Sequence, residues 1–276
     1  MRRKLYLVNE VGSTFYFDYA HSCVIEEMDG FGFEFDIDYE EFDSRFVETK
    51  RKIPQRTLDL TLDFFDGYHG FTRWREFITK SKEIRLFYET SVGKKYCYVN
   101  VVSSSKAQLE SGVLKSKVKV DCLSLWLVNK SAHIEVTDVG GGKIYTYQYP
   151  YVYAVSFNGK VTVNNESSRN VPLVIRLIGN CYNPRVIIRQ NGVDLQTLRL
   201  IVDERDEPTI IVCSEPTNQY IKRVLDAEEQ DYYDKQDFSC ENFLFLPPGE
   251  SEIFFDPGVR EEATCEISFK EEYIAH

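Results

Sequence analysis

The chain has 276 residues, 43% of them hydrophobic and 28% charged, with a mean hydropathy of -0.35, which suits one large or two ordinary soluble domains. Its 33 basic against 44 acidic residues give a net charge of -11, which speaks against a nucleic-acid grip built from clustered Lys and Arg. The N-terminal MRRKLYLVNE holds only the short apolar run LYLV, and no run approaches the ~18 apolar residues of a membrane helix, so assembly in a cytoplasm is expected.

In chain order, Lys4 to Asp18 carries a hairpin signal, LYLVNE and TFYFD around the turn residues Val11-Gly12-Ser13. Nine carboxylates then lie between Glu26 and Asp43, interleaved at period two with Phe31, Phe33, Phe35, Ile37 and Tyr39. A strand with one apolar face needs a cover. These five residues are therefore candidates for an arm docked on a neighbouring subunit, against the plainer reading of a solvated strand. Asp36, Asp38 and Glu40 are spaced like the start of a calcium loop, but the Gly of its sharp turn is missing.

Thr57 to Phe64 alternates Leu58, Leu60, Leu62 and Phe64 with polar residues, which predicts a half-buried strand. Asp66-Gly67 stops it. After Gly70 the apolar spacing turns helical, with Phe71, Trp74, Phe77 and Ile78 expected to pack on the face of that strand. Ile84 to Glu89, Tyr96 to Val102 and Val113 to Val128 read as strands. In the last, the apolar phase slips from Val118, Val120 and Cys122 to Leu123, Leu125 and Leu127, predicting a bulge near Asp121 to Ser124 or cover on both faces.

Composition shifts from Asn129, and Gly140-Gly141-Gly142 is a natural joint. The predicted organisation is mainly β: an N-terminal β-rich domain with one helix over 1–130, a linker over 131–144 and an all-β domain over 145–276. The second part opens on five tyrosines and Pro150 between Tyr145 and Phe157. Short strands follow over Val152 to Phe157, Lys160 to Val163, Val171 to Ile178, Arg185 to Gln190, Val193 to Val202, Thr209 to Cys213, Phe243 to Leu246, Ile253 to Phe255 and Thr264 to Phe269. Asn158-Gly159 and Asn191-Gly192 mark tight hairpins. This spacing predicts a β-sandwich.

Chemistry is sparse. Four scattered histidines make no metal spacing, and Gly140-Gly141-Gly142-Lys143 lacks the rest of a phosphate loop. There is no nucleophile elbow, and pairs such as Glu40-Glu41, Glu228-Glu229, Glu261-Glu262 and Glu271-Glu272 are what 44 acids produce by chance. The sequence thus nominates no catalytic residue, no metal ligand and no cofactor. Seven cysteines without a CxxC, most inside apolar strands, read as buried free thiols. The charged excursion Tyr220 to Cys240 carries Tyr232, Tyr233 and Phe238, candidate saccharide-contact residues if exposed and otherwise rings that seal the loop.

Several segments together resemble the distal tail proteins, the baseplate hub family, of siphophages that infect Gram-positive bacteria. They are LYLVNEVGSTFYFDY, IPQRTLDLTLDFFDGYHGFTRWREFI with IRLFYET, SGVLKSKVKVDCLSLWL, YPYVYAVSFNGKVTVNN, PLVIRLIGNCYNP, NFLFLPPGESEIFFDPG and the final EEYIAH. The resemblance implies a ring-forming, six-fold N-terminal domain around the tail axis and a galectin-like sandwich outside it. It implies a structural virion protein at the tail tip, without catalysis, whose partners are copies of itself, the tail tube protein, the tail-associated hub protein and receptor-binding components. DNA would pass the acidic ring without specific binding. The alternative is a carbohydrate-binding attachment module for host cell-wall saccharide, although the chain has no insertion large enough for an extra binding module.

Overall fold

The alternating stretch Thr57–Phe64 is a strand whose Leu58, Leu60, Leu62 and Phe64 are all buried, as period two requires. The computed structural model describes residues 3–136, 159–259 and 262–275. Within them the chain falls into two units, each with its own apolar core. The first ends at Val128 and regains the chain from Glu272, while the second is Asn129–Glu271.

The first unit contains β1 (Lys4–Asn9), β2 (Thr14–Tyr16), β3 (Cys23–Asp29), β4 (Asp36–Phe42), β5 (Arg45–Lys52), β6 (Thr57–Phe64), α1 (Tyr68–Lys80), β7 (Ile84–Glu89), β8 (Lys94–Ser104), β9 (Leu109–Glu110), β10 (Val113–Cys122) and the start of β11 (Trp126–Val136). Antiparallel pairing runs β2, β1, β7, β8, β10, β6, β3, with β9 also on β10. The helix stripe packs as its spacing demands. Phe71 meets Phe64 of β6 edge-on at 6.0 Å, while Trp74 and Phe77 meet Phe15 of β2 at 5.2 and 5.6 Å. Trp74 is fully buried and its indole N–H donates to Ser104 Oγ at 3.0 Å. The helix begins before Gly70 and not after it, and Gly70 sits in its first turn, where any Cβ would collide with Asp66 Oδ1.

Two expectations are corrected here. The phase slip after Cys122 is a strand break: β10 ends, Leu123 is 55% exposed, and Ser124 Oγ replaces a ladder carbonyl by accepting from Tyr98 N at 3.1 Å. The predicted strand through Phe31 begins only at Asp36. Gly30 takes a left-handed turn (φ 87°) against Thr57 O, and Phe31 swings into the first core to meet Tyr88 and Trp126 at 5.4 and 6.1 Å.

The second unit completes β11 and continues with β12 (Gly159–Asn165), β13 (Val171–Gly179), β14 (Cys181–Tyr182), β15 (Arg185–Gln190), β16 (Val193–Arg199), β17 (Asp203–Glu204), β18 (Thr209–Cys213), β19 (Tyr220–Leu225), β20 (Glu228–Asp231), β21 (Phe245–Leu246), β22 (Gly249–Asp256) and β23 (Ala263–Tyr273). One sheet pairs β23, β13, β18, β19 and β20, and the other β12, β22, β15 and β16. Leu173, Ile175 and Ile267 from the first meet Val186, Ile188 and Phe255 from the second in a shared core, a β-sandwich consistent with the galectin-like expectation. Asn191-Gly192 turns the β15–β16 hairpin with both φ positive, 53° and 80°. Residues 131–136, expected as linker, belong to β11, where Ile134 and Val136 are buried in the second core; their period-two spacing was hidden by polar neighbours. Gly140-Gly141-Gly142-Lys143, the strand at Val152 to Phe157, Asn158 and Glu261 lie outside the described residues.

Candidate functional site

The β4–β5 hairpin pairs only with itself among the described residues, and every side chain of β5 is exposed. Its turn is Asp43-Ser44, both left-handed (φ 47° and 62°), the geometry that lets two strands fold back at right-handed twist. The register pairs Phe42 with Arg45 and Glu40 with Val47 on one face, and Glu41 with Phe46 and Tyr39 with Glu48 on the other. Both faces therefore carry bare apolar groups: Phe42 is 76% exposed, Phe46 74%, Val47 52% and Tyr39 57%. A lone two-stranded ribbon is marginal in water, and bare apolar surface of this kind is costly to leave uncovered.

The two strands differ in charge. β4 and the turn carry Asp36, Asp38, Glu40, Glu41 and Asp43, whereas β5 carries Arg45, Lys50, Arg51 and Lys52. Their contacts among the described residues are local: Arg51 donates to both Glu48 carboxylate oxygens at 3.0 and 2.6 Å and lies over Phe35 at 5.0 Å.

Of the five arm residues nominated from sequence, Phe33, Phe35, Ile37 and Tyr39 stay at or beside this hairpin. Phe33, 65% exposed, meets Phe35 at 5.7 Å, and Ile37 is half-buried on β4. Phe31 is separated from them in the core. The sequence reading missed Phe42, Phe46 and Val47, whose signal was the Asp-Ser turn between acidic and basic alternating stretches.

On the outer face of β3, β6 and β10 lies a groove of about 620 Å³. One wall is acidic, with Glu27, Asp29 and Asp59, and the other basic, with Lys117 and Lys119. The pairing sets this up, since Lys119 stands opposite Asp59, and Asp29 stands on the far side of Asp59. Beyond the groove Lys115 binds Glu26 at 2.6 Å and reaches Asp63 at 3.9 Å. Burial first, then the Glu26 charge, pushes the Asp63 carboxyl up despite Lys115. Lys117 and Lys119 have no ion-pair partner among the described residues.

In the second unit, Tyr220 to Cys240 is largely structured as the β19–β20 hairpin and a 3-10 turn at Tyr233–Lys235, so the long loop expected from sequence is replaced by sheet. Tyr232 points inward, only 8% exposed, and donates to Glu204 Oε1 at 2.7 Å; Glu204 also accepts from Arg223 Nε at 2.9 Å. Burial and that carboxylate push the Tyr232 hydroxyl up to about 12. Tyr233 and Phe238 are the exposed rings, at 50% and 73%. Among the described residues no cluster of three or more His, Cys, Asp or Glu is placed to hold a metal, and no helix is long and apolar enough to cross a membrane.

Residues 4–123, which hold the hairpin and the groove, match the family model for the distal tail protein, N-terminal domain. Residues 4–123 thus form a distal tail protein N-terminal domain. No curated protein matches the chain. A chain of the phage P2 baseplate, in its activated conformation with Ca, aligns over 100% of both chains with a TM-score of 0.67 at 11% identity. The Dit protein of phage SPP1, described as a paradigm of the hub adsorption apparatus in phages infecting Gram-positive bacteria, aligns over 96% of this chain and 98% of its own, with a TM-score of 0.65 at 11% identity. At such identity these two likenesses speak for the fold, and the distal tail domain itself makes the chain a component of a phage tail.

Proposed function

We propose that the chain is a structural hub at the distal end of a phage tail, closing into a six-membered ring that joins the tail tube to the hub and receptor-binding proteins below. The observation that carries this reading is the β4–β5 hairpin, uncovered and apolar on both faces. A head-to-tail contact repeated around an axis closes a ring, and the charges suggest its register. The basic β5 of one protomer complements Glu27, Asp29 and Asp59 of the next, and the acidic β4 complements Lys117 and Lys119. The work of such a protein is positional, with no bond made or broken. The net charge of -11 suits a ring through which DNA passes without being gripped.

The test is the mass of the purified chain by light scattering over a range of concentration. Six copies of 32.2 kDa, about 193 kDa, are expected at high concentration. A strict monomer in the presence of the tail partners would overturn the reading. A saccharide role for the second unit keeps Tyr233 and Phe238 as its exposed rings. Cell-wall binding lost in Tyr233→Ala with Phe238→Ala would favour it, and the absence of any glycan binding would remove it.

A further inference from the structure

Cys97 on β8 and Cys122 at the end of β10 are buried side by side, the Cys97 thiol donating to Cys122 Sγ at 4.0 Å. No other two cysteine sulfurs are joined this way among the described residues, and all seven are free thiols. Arg56 adjoins the pair, its carbonyl accepting from Cys122 N at 2.8 Å. The Arg56 guanidinium lies over the Trp126 ring at 4.9 Å and donates through Nη1 to Ile274 O at 3.3 Å. Its Nε and Nη2 are buried and have no hydrogen-bond partner among the described residues.

A guanidinium stays charged at any ordinary pH, and a buried cation without an anion is costly. No carboxylate pairs with Arg56 among the described residues, and Asp121 is engaged by Thr57 Oγ1 at 2.9 Å. The group able to supply the anion is Cys122. Its thiol is held below the usual range, first by the hydrogen bond from Cys97 and then by Arg56, against burial and the Asp121 charge. The same hydrogen bond, with burial, pushes Cys97 up, so the proton stays there.

We infer that Cys97 and Cys122, adjacent buried thiols beside Arg56, are an oxidation site which hydrogen peroxide, a small neutral oxidant, closes to a disulfide between β8 and β10. The Cys122 thiolate attacks one peroxide oxygen, the O–O bond breaks, and the departing hydroxide takes up a proton, leaving a sulfenic acid. Cys97 then attacks the Cys122 sulfur and gives up its proton, the S–O bond breaks, and a second water leaves. Two thiols lose two electrons and the peroxide becomes two waters. Forming the bond requires the sulfurs to close from 4.0 Å to about 2.05 Å, and that shift falls on a strand end, next to Leu123, which is 55% exposed.

The experiment treats the folded full-length chain with graded hydrogen peroxide, quenches, denatures, alkylates the remaining thiols and reads peptides by mass spectrometry. A Cys97–Cys122 disulfide peptide is expected before the other five cysteines lose their thiols. Arg56→Gln should slow its appearance about twofold at pH ~7, because a one-unit pKa rise roughly halves the thiolate fraction of a thiol already held below the usual range, and Arg56→Lys should restore most of the rate. Cys97→Ser should leave Cys122 oxidised but unbridged. Circular dichroism of each variant identifies any that fail to fold, and the wild-type result stands without them. If Cys97 and Cys122 stay alkylatable while other cysteines oxidise, the oxidation site is refuted; an unchanged rate in folded Arg56→Gln removes the thiolate.

Discussion

Replacing Phe42 and Phe46 together by Ser separates assembly from folding. The two rings are 76% and 74% exposed, which at ~200 Å² per Phe side chain leaves about 300 Å² of apolar surface bare. Covering all of it would contribute on the order of 7 kcal/mol per interface at ~25 cal/mol/Å², and covering half still contributes about 4 kcal/mol. The second figure weakens association roughly a thousandfold. Because neither ring supports the core of its own chain, the monomer should lose little stability, within about 0.5 kcal/mol. Sedimentation velocity and thermal unfolding on the same samples read the two quantities separately. Full assembly with an unchanged melt would refute the hairpin's role; a collapsed melt would show that the rings belong to the monomer's own packing.

Trp74→Ala should cost about 4 kcal/mol, because it empties the pocket beside Phe15 and Phe17 and removes the indole donor from Ser104 Oγ, which keeps its bond to Ser116 Oγ. Urea unfolding of the first unit measures it, and Trp74→Phe should cost less than half as much. Tyr232→Phe should destabilise the sandwich by about 1 to 2 kcal/mol by taking one donor from the buried Glu204 carboxylate, read as a shift in the second unit's denaturation midpoint. Burial pushes the thiols of Cys23 and Cys181 up to about 12. The unfolded chain releases these protons near pH ~8.5, so stability should be full below that pH and fall as pH rises toward 12, by at most ~1.4 kcal/mol per thiol per unit. Melting temperatures from pH 7 to 11 check the direction, and a rise above pH 9 would contradict it.

Local periodicity carried far in this sequence. Strands such as Ile84–Glu89 and Thr209–Cys213 were legible residue for residue, since each alternates or runs apolar between clear turn residues. The helix was visible, but its partner Phe15 lies about sixty positions earlier in the chain, and pattern alone does not report such a contact. At the hairpin the pattern misled. Phe31 continues the period-two row in sequence, yet one left-handed Gly30 turns it into the core. Val47 and Phe46 sit among charges that read as solvated surface, and only the register shows that they stand bare beside Glu40 and Glu41. Tyr232 and Tyr233 are neighbours with opposite fates, because burial there is decided by Glu204, a residue of another strand.

The first unit is discontinuous, and this gives it a place in time. Its closing contacts come from residues 273–275: Ile274 O receives Arg56, Ala275 O receives Lys95 Nζ at 3.2 Å, and the Tyr273 ring lies under the same ammonium at 3.9 Å. A ribosome carrying the first 128 residues holds a domain whose final pieces have yet to be translated. The unit that bears the β4–β5 hairpin is therefore finished only after the sandwich has been translated, so a half-made chain presents this exposed ribbon on an incomplete base.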